Sequence, residues 1–131
     1  MENKDIEQLL KEEPFLRYIG VEIAEFKEGY CRLSVNLKHE LTRSGNIMNG
    51  GAIAALADAA GGCVVYSLNK RNHVTADLSL SFMKPIRTGP VTAEARIVKT
   101  GKSLTFVDIR IFDGNRVECA MAKGTWFFLD V

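Results

Sequence analysis

The spacing of apolar residues changes period along the chain, and each change marks a change of element. Ile6, Leu9 and Leu10 lie on one face of a short amphipathic helix that Asp5 can begin and that Pro14 ends by Glu13. Phe15-Leu16 is expected to pack back onto the body. Ile19 to Phe26 has strand character, with Val21 and Ile23 alternating against Glu22, and Glu28-Gly29 is a turn. Tyr30 to Leu37 is the clearest short strand: Leu33, Val35 and Leu37 face one way, Arg32, Ser34 and Asn36 the other. His39 to Gly45 is a polar loop. Asn46 to Leu68 is then nearly free of charge and rich in Ala and Leu, the pattern of a loop entering a helix of about five turns. Asn49 is its N-cap, and the helix is expected to end near Leu68, before the basic turn Asn69-Lys70-Arg71-Asn72.

Beyond the helix the period becomes two. Val74, Ala76, Leu78, Leu80 and Phe82 fall on one face; Thr75, Asp77, Ser79 and Ser81 fall on the other. Pro85 closes or bends this strand, and Arg87-Thr88-Gly89-Pro90 is a turn. Val91 to Thr100 and Leu104 to Phe112 are further strands, joined at Gly101-Lys102. Asp113-Gly114 is a hairpin signal, and Arg116 to Leu129 is the last strand, with a bulge expected near Gly124. Short turns between the later strands favour an antiparallel meander. A sheet with one apolar face needs a cover, and only the central helix is long and apolar enough to supply it. The expected fold is α+β: a curled antiparallel sheet wrapped around a long central helix.

Size and composition narrow the possibilities. The 131 residues suffice for one domain with a moderate core. The net charge of +1 gives no bulk electrostatic support for nucleic-acid binding. The charged N-terminus lacks the apolar core of a signal peptide, and glycines and Asp58 make the central helix a poor membrane span. Cys31, Cys63 and Cys119 are scattered and odd in number, as expected for buried free thiols of a cytoplasmic protein. With only His39 and His73, no histidine cluster or CxxC pair marks a metal site. Both histidines are read as loop residues.

The chemistry-bearing feature is Asp58, the one charged group between Arg43 and Lys70. A carboxylate in an apolar helix is costly unless partnered. The helix opens with Gly50-Gly51, whose unshielded N–H groups and dipole form a natural oxyanion site. Gly50 and Asp58 are separated by roughly 12 Å of helix axis. One small reacting group cannot easily touch both. Their cooperation therefore requires a second subunit, with two such helices side by side and antiparallel.

His39, Gly45, Asn49-Gly50-Gly51-Ala52-Ile53-Ala54-Ala55-Leu56-Ala57-Asp58 and Thr75-Ala76-Asp77-Leu78-Ser79-Leu80-Ser81-Phe82-Met83-Lys84-Pro85 together resemble the hot-dog-fold thioesterases, the PaaI-like acyl-CoA thioesterases among them. The resemblance runs from about Gly20 to Phe128. It implies a long helix in a curled sheet, a homodimer with shared clefts, commonly paired into a tetramer, and no cofactor beyond the coenzyme A of the substrate. It implies that the Gly50 N–H polarises a thioester carbonyl, that Gly51 shapes the turn, and that Asp58 of the other subunit activates water or attacks directly. Thr75 matches a position where a hydroxyl supports the water or the carboxylate. His39 matches a position at the cleft entrance.

The chain departs from this family's pattern at two positions. Asn49 stands where His usually opens the helix, and Arg43 stands where many members have Asn. Asn49 can cap the helix or bond the thioester but cannot change charge near neutral pH. Arg43 could pair with Asp58 or contact a substrate phosphate. Lys84, Arg87, Lys99 and Lys102 are candidates for the nucleotide end of CoA, and Gly61, Cys63, Val64 and Phe82 for the acyl pocket. Two rival readings share the scaffold: a non-catalytic acyl-CoA or small-ligand binding protein, and an acyl-thioester hydratase or dehydratase.

Overall fold

A computed structural model describes residues 3–129. Two N-terminal helices, α1 (Asn3–Glu12) and α2 (Pro14–Ile19), lead into the strands β1 (Glu22–Lys27) and β2 (Tyr30–Val35). A 3-10 turn at His39–Leu41 and a small hairpin, β3 (Thr42–Arg43) with β4 (Ile47–Met48), precede the long helix α3 (Gly50–Asn69). Four strands complete the fold: β5 (His73–Phe82), β6 (Val91–Thr100), β7 (Leu104–Phe112) and β8 (Glu118–Phe128).

The expected α+β architecture is present. Six strands form one antiparallel sheet, and α3 packs against it through β2, β5, β6, β7 and β8. Leu56, Ala57, Ala60, Val64 and Val65 of α3 are sealed from solvent against Leu33, Ala93, Ile109 and Ala120 of the strands. The helix has no polar face because most of its surface meets the core. It is also the one helix of the described residues long and apolar enough to cross a membrane, and it lies inside the sheet.

The expected meander holds only for β6, β7 and β8. The sheet order is β1-β2-β6-β7-β8-β5, so the strand after the helix pairs with the last strand and not with the next. The segment 83–90 carries the chain across to the other side. β2 and β5, the strands of this sheet that come before and after α3 in the chain, thereby lie on opposite sides of it, with β6, β7 and β8 between them. β5 is left at an edge.

Local boundaries move for identifiable reasons. Pro14 does not merely end α1; it opens α2, whose first turn needs no proline N–H. Gly20 closes α2 in the left-handed region at φ 86°, so β1 starts at Glu22 and not at Ile19. The polar segment ahead of α3 contains the β3–β4 hairpin, where a plain loop was expected. α3 ends at Asn69, with Lys70 as its left-handed cap.

No bulge falls at Gly124, which pairs in register with Leu78 and Val107. The glycine makes room for a ring instead. A methyl group at Gly124, or at Gly61 of α3, would run into the indole of Trp126, which is 1% exposed. The bulge near this point lies across the ladder, where Thr75 and Asp77 oppose Trp126 and Thr125 and leave Ala76 as the extra residue.

That bulge corrects the facing of β5. Strict alternation separates Thr75 from Leu78 and Leu80. The extra residue at Ala76 reverses the parity, so Thr75 reaches α3 on the same side as Leu78 and Leu80.

Candidate active site

The first half of the site is the entry to α3. The backbone is held on both sides: Asn49 N–H donates to the Leu41 carbonyl at 2.8 Å, and Met48 N–H donates to the Ile86 carbonyl at 2.9 Å. Asn49 is the expected N-cap. Its Oδ1 accepts from Gly51 N–H at 2.7 Å and Ala52 N–H at 3.3 Å. The Gly50 N–H has no partner among the described residues. A side chain at Gly51 would press on the Asn49 Oδ1, at 2.9 Å, so this glycine protects the cap. The Phe82 ring lies over Gly50, 3.6 Å from where a Cβ would stand. Gly50, Phe82 and Lys84 border an open cavity of about 220 Å³.

The second half lies two turns along the helix. Asp58 is half-buried, and its Oδ1 accepts a hydrogen bond from Thr75 Oγ1 at 2.6 Å. Both residues line a larger cavity of about 520 Å³ between α3, the start of β5 and the two N-terminal helices. Its walls are mainly apolar, with Leu10, Leu16, Cys63 and Trp126 among them.

Within one chain, then, Gly50 and Asp58 open into different cavities. This agrees with the axial separation expected from helical rise.

His73 is the residue that sequence reasoning missed. It is not in a loop; it is the first residue of β5 and lines the larger cavity with Asp58 and Thr75. Its ring packs on Gly62, where a Cβ would meet His73 Cε1 at 3.3 Å. Burial pushes its pKa below the ordinary 6.5, opposed by the Gly62 backbone and the Asp58 carboxylate. The sequence signal was its spacing: His73 and Thr75 are two apart and share a strand face.

The other candidates divide. Lys84 borders the Gly50 cavity, whereas Arg87 is exposed and borders neither cavity. His39 and Arg43 are exposed on the segment before α3 and also border neither. Arg43 makes no ion pair with Asp58, whose hydrogen-bond partner is Thr75. Lys99, near the end of β6, and Lys102, in the β6–β7 turn, are exposed. Of the expected acyl-pocket residues, Cys63 borders the larger cavity. Gly61 is occupied by Trp126, Val64 is sealed in the core, and Phe82 belongs to the Gly50 cavity. Cys31, Cys63 and Cys119 are buried free thiols; Cys63 beside it, together with burial, pushes the Cys31 thiol up. Such a thiol stays protonated and is a poor nucleophile. No group of three His, Cys, Asp or Glu side chains among the described residues is placed to hold a metal ion.

A curled antiparallel sheet around one long buried helix is the hot-dog fold. The chain belongs to the thioesterase superfamily, whose family model matches residues 45–120. It is 42% identical over 123 residues to SSO1253 of Saccharolobus solfataricus, provisionally named an esterase, covering 93% of this chain and 82% of that one. It is 38% identical to the similarly named Ta0293 of Thermoplasma acidophilum, covering 96% of each. Among solved structures it is similar to thioesterase HI1161 of Haemophilus influenzae, with a TM-score of 0.89, 21% identity, and 98% of this chain and 91% of that one covered. The E. coli PaaI protein from the phenylacetic acid degradation operon matches with a TM-score of 0.89 and 20% identity, covering 96% and 91%. Family and relatives together support hydrolysis of an ester or thioester.

Proposed function

We propose that this protein hydrolyses an acyl-CoA thioester at a site completed by two copies of the chain. The observation that carries the reading is the separation of a free Gly50 N–H and a Thr75-held Asp58 into two cavities of one chain. Each subunit has both halves, and a second copy related by a two-fold axis brings one half to the other. β5 suits this pairing. It is a ten-residue edge strand, with Val74, Phe82 and the adjacent Met83 all exposed. Two such dimers associate further, and the protein is cytoplasmic.

The thioester carbonyl oxygen lies on Gly50 N–H, with the helix dipole behind it. Asp58 of the neighbouring subunit takes a proton from water as the water oxygen bonds to the carbonyl carbon. The carbonyl π pair moves onto the oxygen held by Gly50. Collapse of that intermediate breaks the C–S bond and releases CoA as thiolate. Thr75 fixes the carboxylate, and Asn49 acts by position, using its own oxygen on Gly51 and Ala52 so that Gly50 stays free. The pantetheine arm passes Phe82, and the nucleotide end meets Lys84, with Arg87 nearby in sequence. Coenzyme A enters as part of the substrate, and no separate cofactor takes part.

Thiol release from a panel of acyl-CoAs, measured for wild type and Asp58→Asn, tests this. Turnover that collapses in the variant supports hydrolysis with Asp58 as base. CoA-ester binding without turnover in the wild type replaces this reading with a binding protein.

A further inference from the structure

The cavity beside Asp58 has a length as well as a volume. On α3 its wall is the stripe Ala59, Cys63 and Tyr66, residues three or four apart on one helix face. Ile6, Leu10 and Leu16 of the N-terminal helices face it, so the cavity runs along the helix under a mainly apolar roof in which Glu13 is the one charged residue. From Asp58 to Tyr66 is eight residues, or about 12 Å of axis. Lys70, one turn beyond Tyr66, is exposed and ends the apolar stretch.

An extended alkyl chain with bonds of about 1.5 Å advances roughly 1.25 Å per carbon. We infer that this cavity takes a straight aliphatic acyl chain of about eight to ten carbons, lying along α3 with its thioester end at Asp58. The inference rests on the hydrolytic reading above and names the acyl class it acts on. A cavity of about 520 Å³ is far larger than an acetyl or butyryl group requires. A phenylacetyl group would fill only the end next to Asp58. Methylenes as far as Tyr66 gain apolar contact, and those beyond it meet the exposed Lys70 end and gain little.

Trp126 makes the test direct. It is the single tryptophan of the chain, is buried, and forms part of the cavity wall. Non-hydrolysable S-alkyl-CoA thioethers from ethyl to tetradecyl, titrated against Trp126 fluorescence, read chain length without turnover. The Kd is expected to fall about fourfold per methylene up to octyl or decyl, then level. Ala59→Leu, which fills the cavity beside Asp58, is expected to move the break to shorter chains. Leu10→Ala opens the roof and is expected to flatten the slope, so the outcome does not hang on one variant folding. A Kd independent of length, a break at butyl, tighter binding of a phenylethyl than a decyl thioether, or no binding of any thioether overturns the inference. Thiol release is scored separately. Turnover with a flat length profile overturns only the chain-length inference, and a graded profile without turnover overturns only hydrolysis.

Discussion

Thr75 donates its hydroxyl hydrogen to the Asp58 carboxylate at 2.6 Å, across the gap between β5 and α3. The contact exists because Ala76 is squeezed out of the ladder, turning Thr75 toward the helix. This bond engages one carboxylate oxygen, and the second has no protein partner among the described residues. Asp58→Asn is expected to lower kcat by at least about 100-fold. Thr75→Val, which deletes one hydrogen bond to a charged group, is expected to cost about tenfold, and Thr75→Ser to recover most of it. A loss in Thr75→Ser with none in Thr75→Val would show that the methyl, and not the hydroxyl, matters.

Two inactive variants are expected to restore each other. Gly50→Pro removes the free N–H at the first helical position, where proline is tolerated, and Asn49 already has the extended ψ of 135° that a following proline needs. In a mixed dimer of Gly50→Pro and Asp58→Asn, one of the two shared sites is intact. Random assortment makes half the dimers mixed, so about a quarter of wild-type activity is expected after co-refolding. No recovery, with mixed dimers verified by mass, would place both groups in one subunit's site.

The pH dependence of stability has a defined sign at His73. Burial lowers its pKa in the folded chain below the ordinary 6.5, so below that pH the unfolded chain binds more protons. Stability from this group is intact above about 6.5, is lost as pH falls toward the lower native value, and then levels. Asp58 and the Gly62 backbone temper the effect without reversing it. Urea midpoints between pH 4.5 and 8 are expected to fall less steeply on acidification in His73→Gln than in wild type. A parallel pair of curves would remove His73 from the acid response.

Trp126 is held between two glycines on different elements. Gly61→Ala and Gly124→Ala each push a methyl into its ring and are expected to cost about 1–3 kcal/mol or more, read from denaturant midpoints with Trp fluorescence. Gly62→Ala meets the His73 ring at 3.3 Å, a contact a small shift relieves, and is expected to cost less. Stabilisation by both Gly61→Ala and Gly62→Ala would show that the gain in helix propensity outweighs any clash with the indole.

Much of the architecture was legible along the chain because it depends on local and periodic signals. An uninterrupted apolar helix must be buried, alternating segments must form a half-covered sheet, and Asn49 must cap the helix that follows it. Helical rise alone separated Gly50 from Asp58. The oxyanion and base roles proposed for them rest on residue type and on the resemblance to a known family. Strand order was decided only in three dimensions, because short turns describe neighbours in sequence and cannot report that β5 crosses to pair with β8. The facing of Thr75 was likewise hidden, since one bulged residue inverts every later position while the sequence continues to alternate. His73 looked like a loop residue because its partners, Asp58 and Gly62, lie on another element. The cavity that joins them exists only where α1, α2, α3 and β5 converge, and no single segment records that packing.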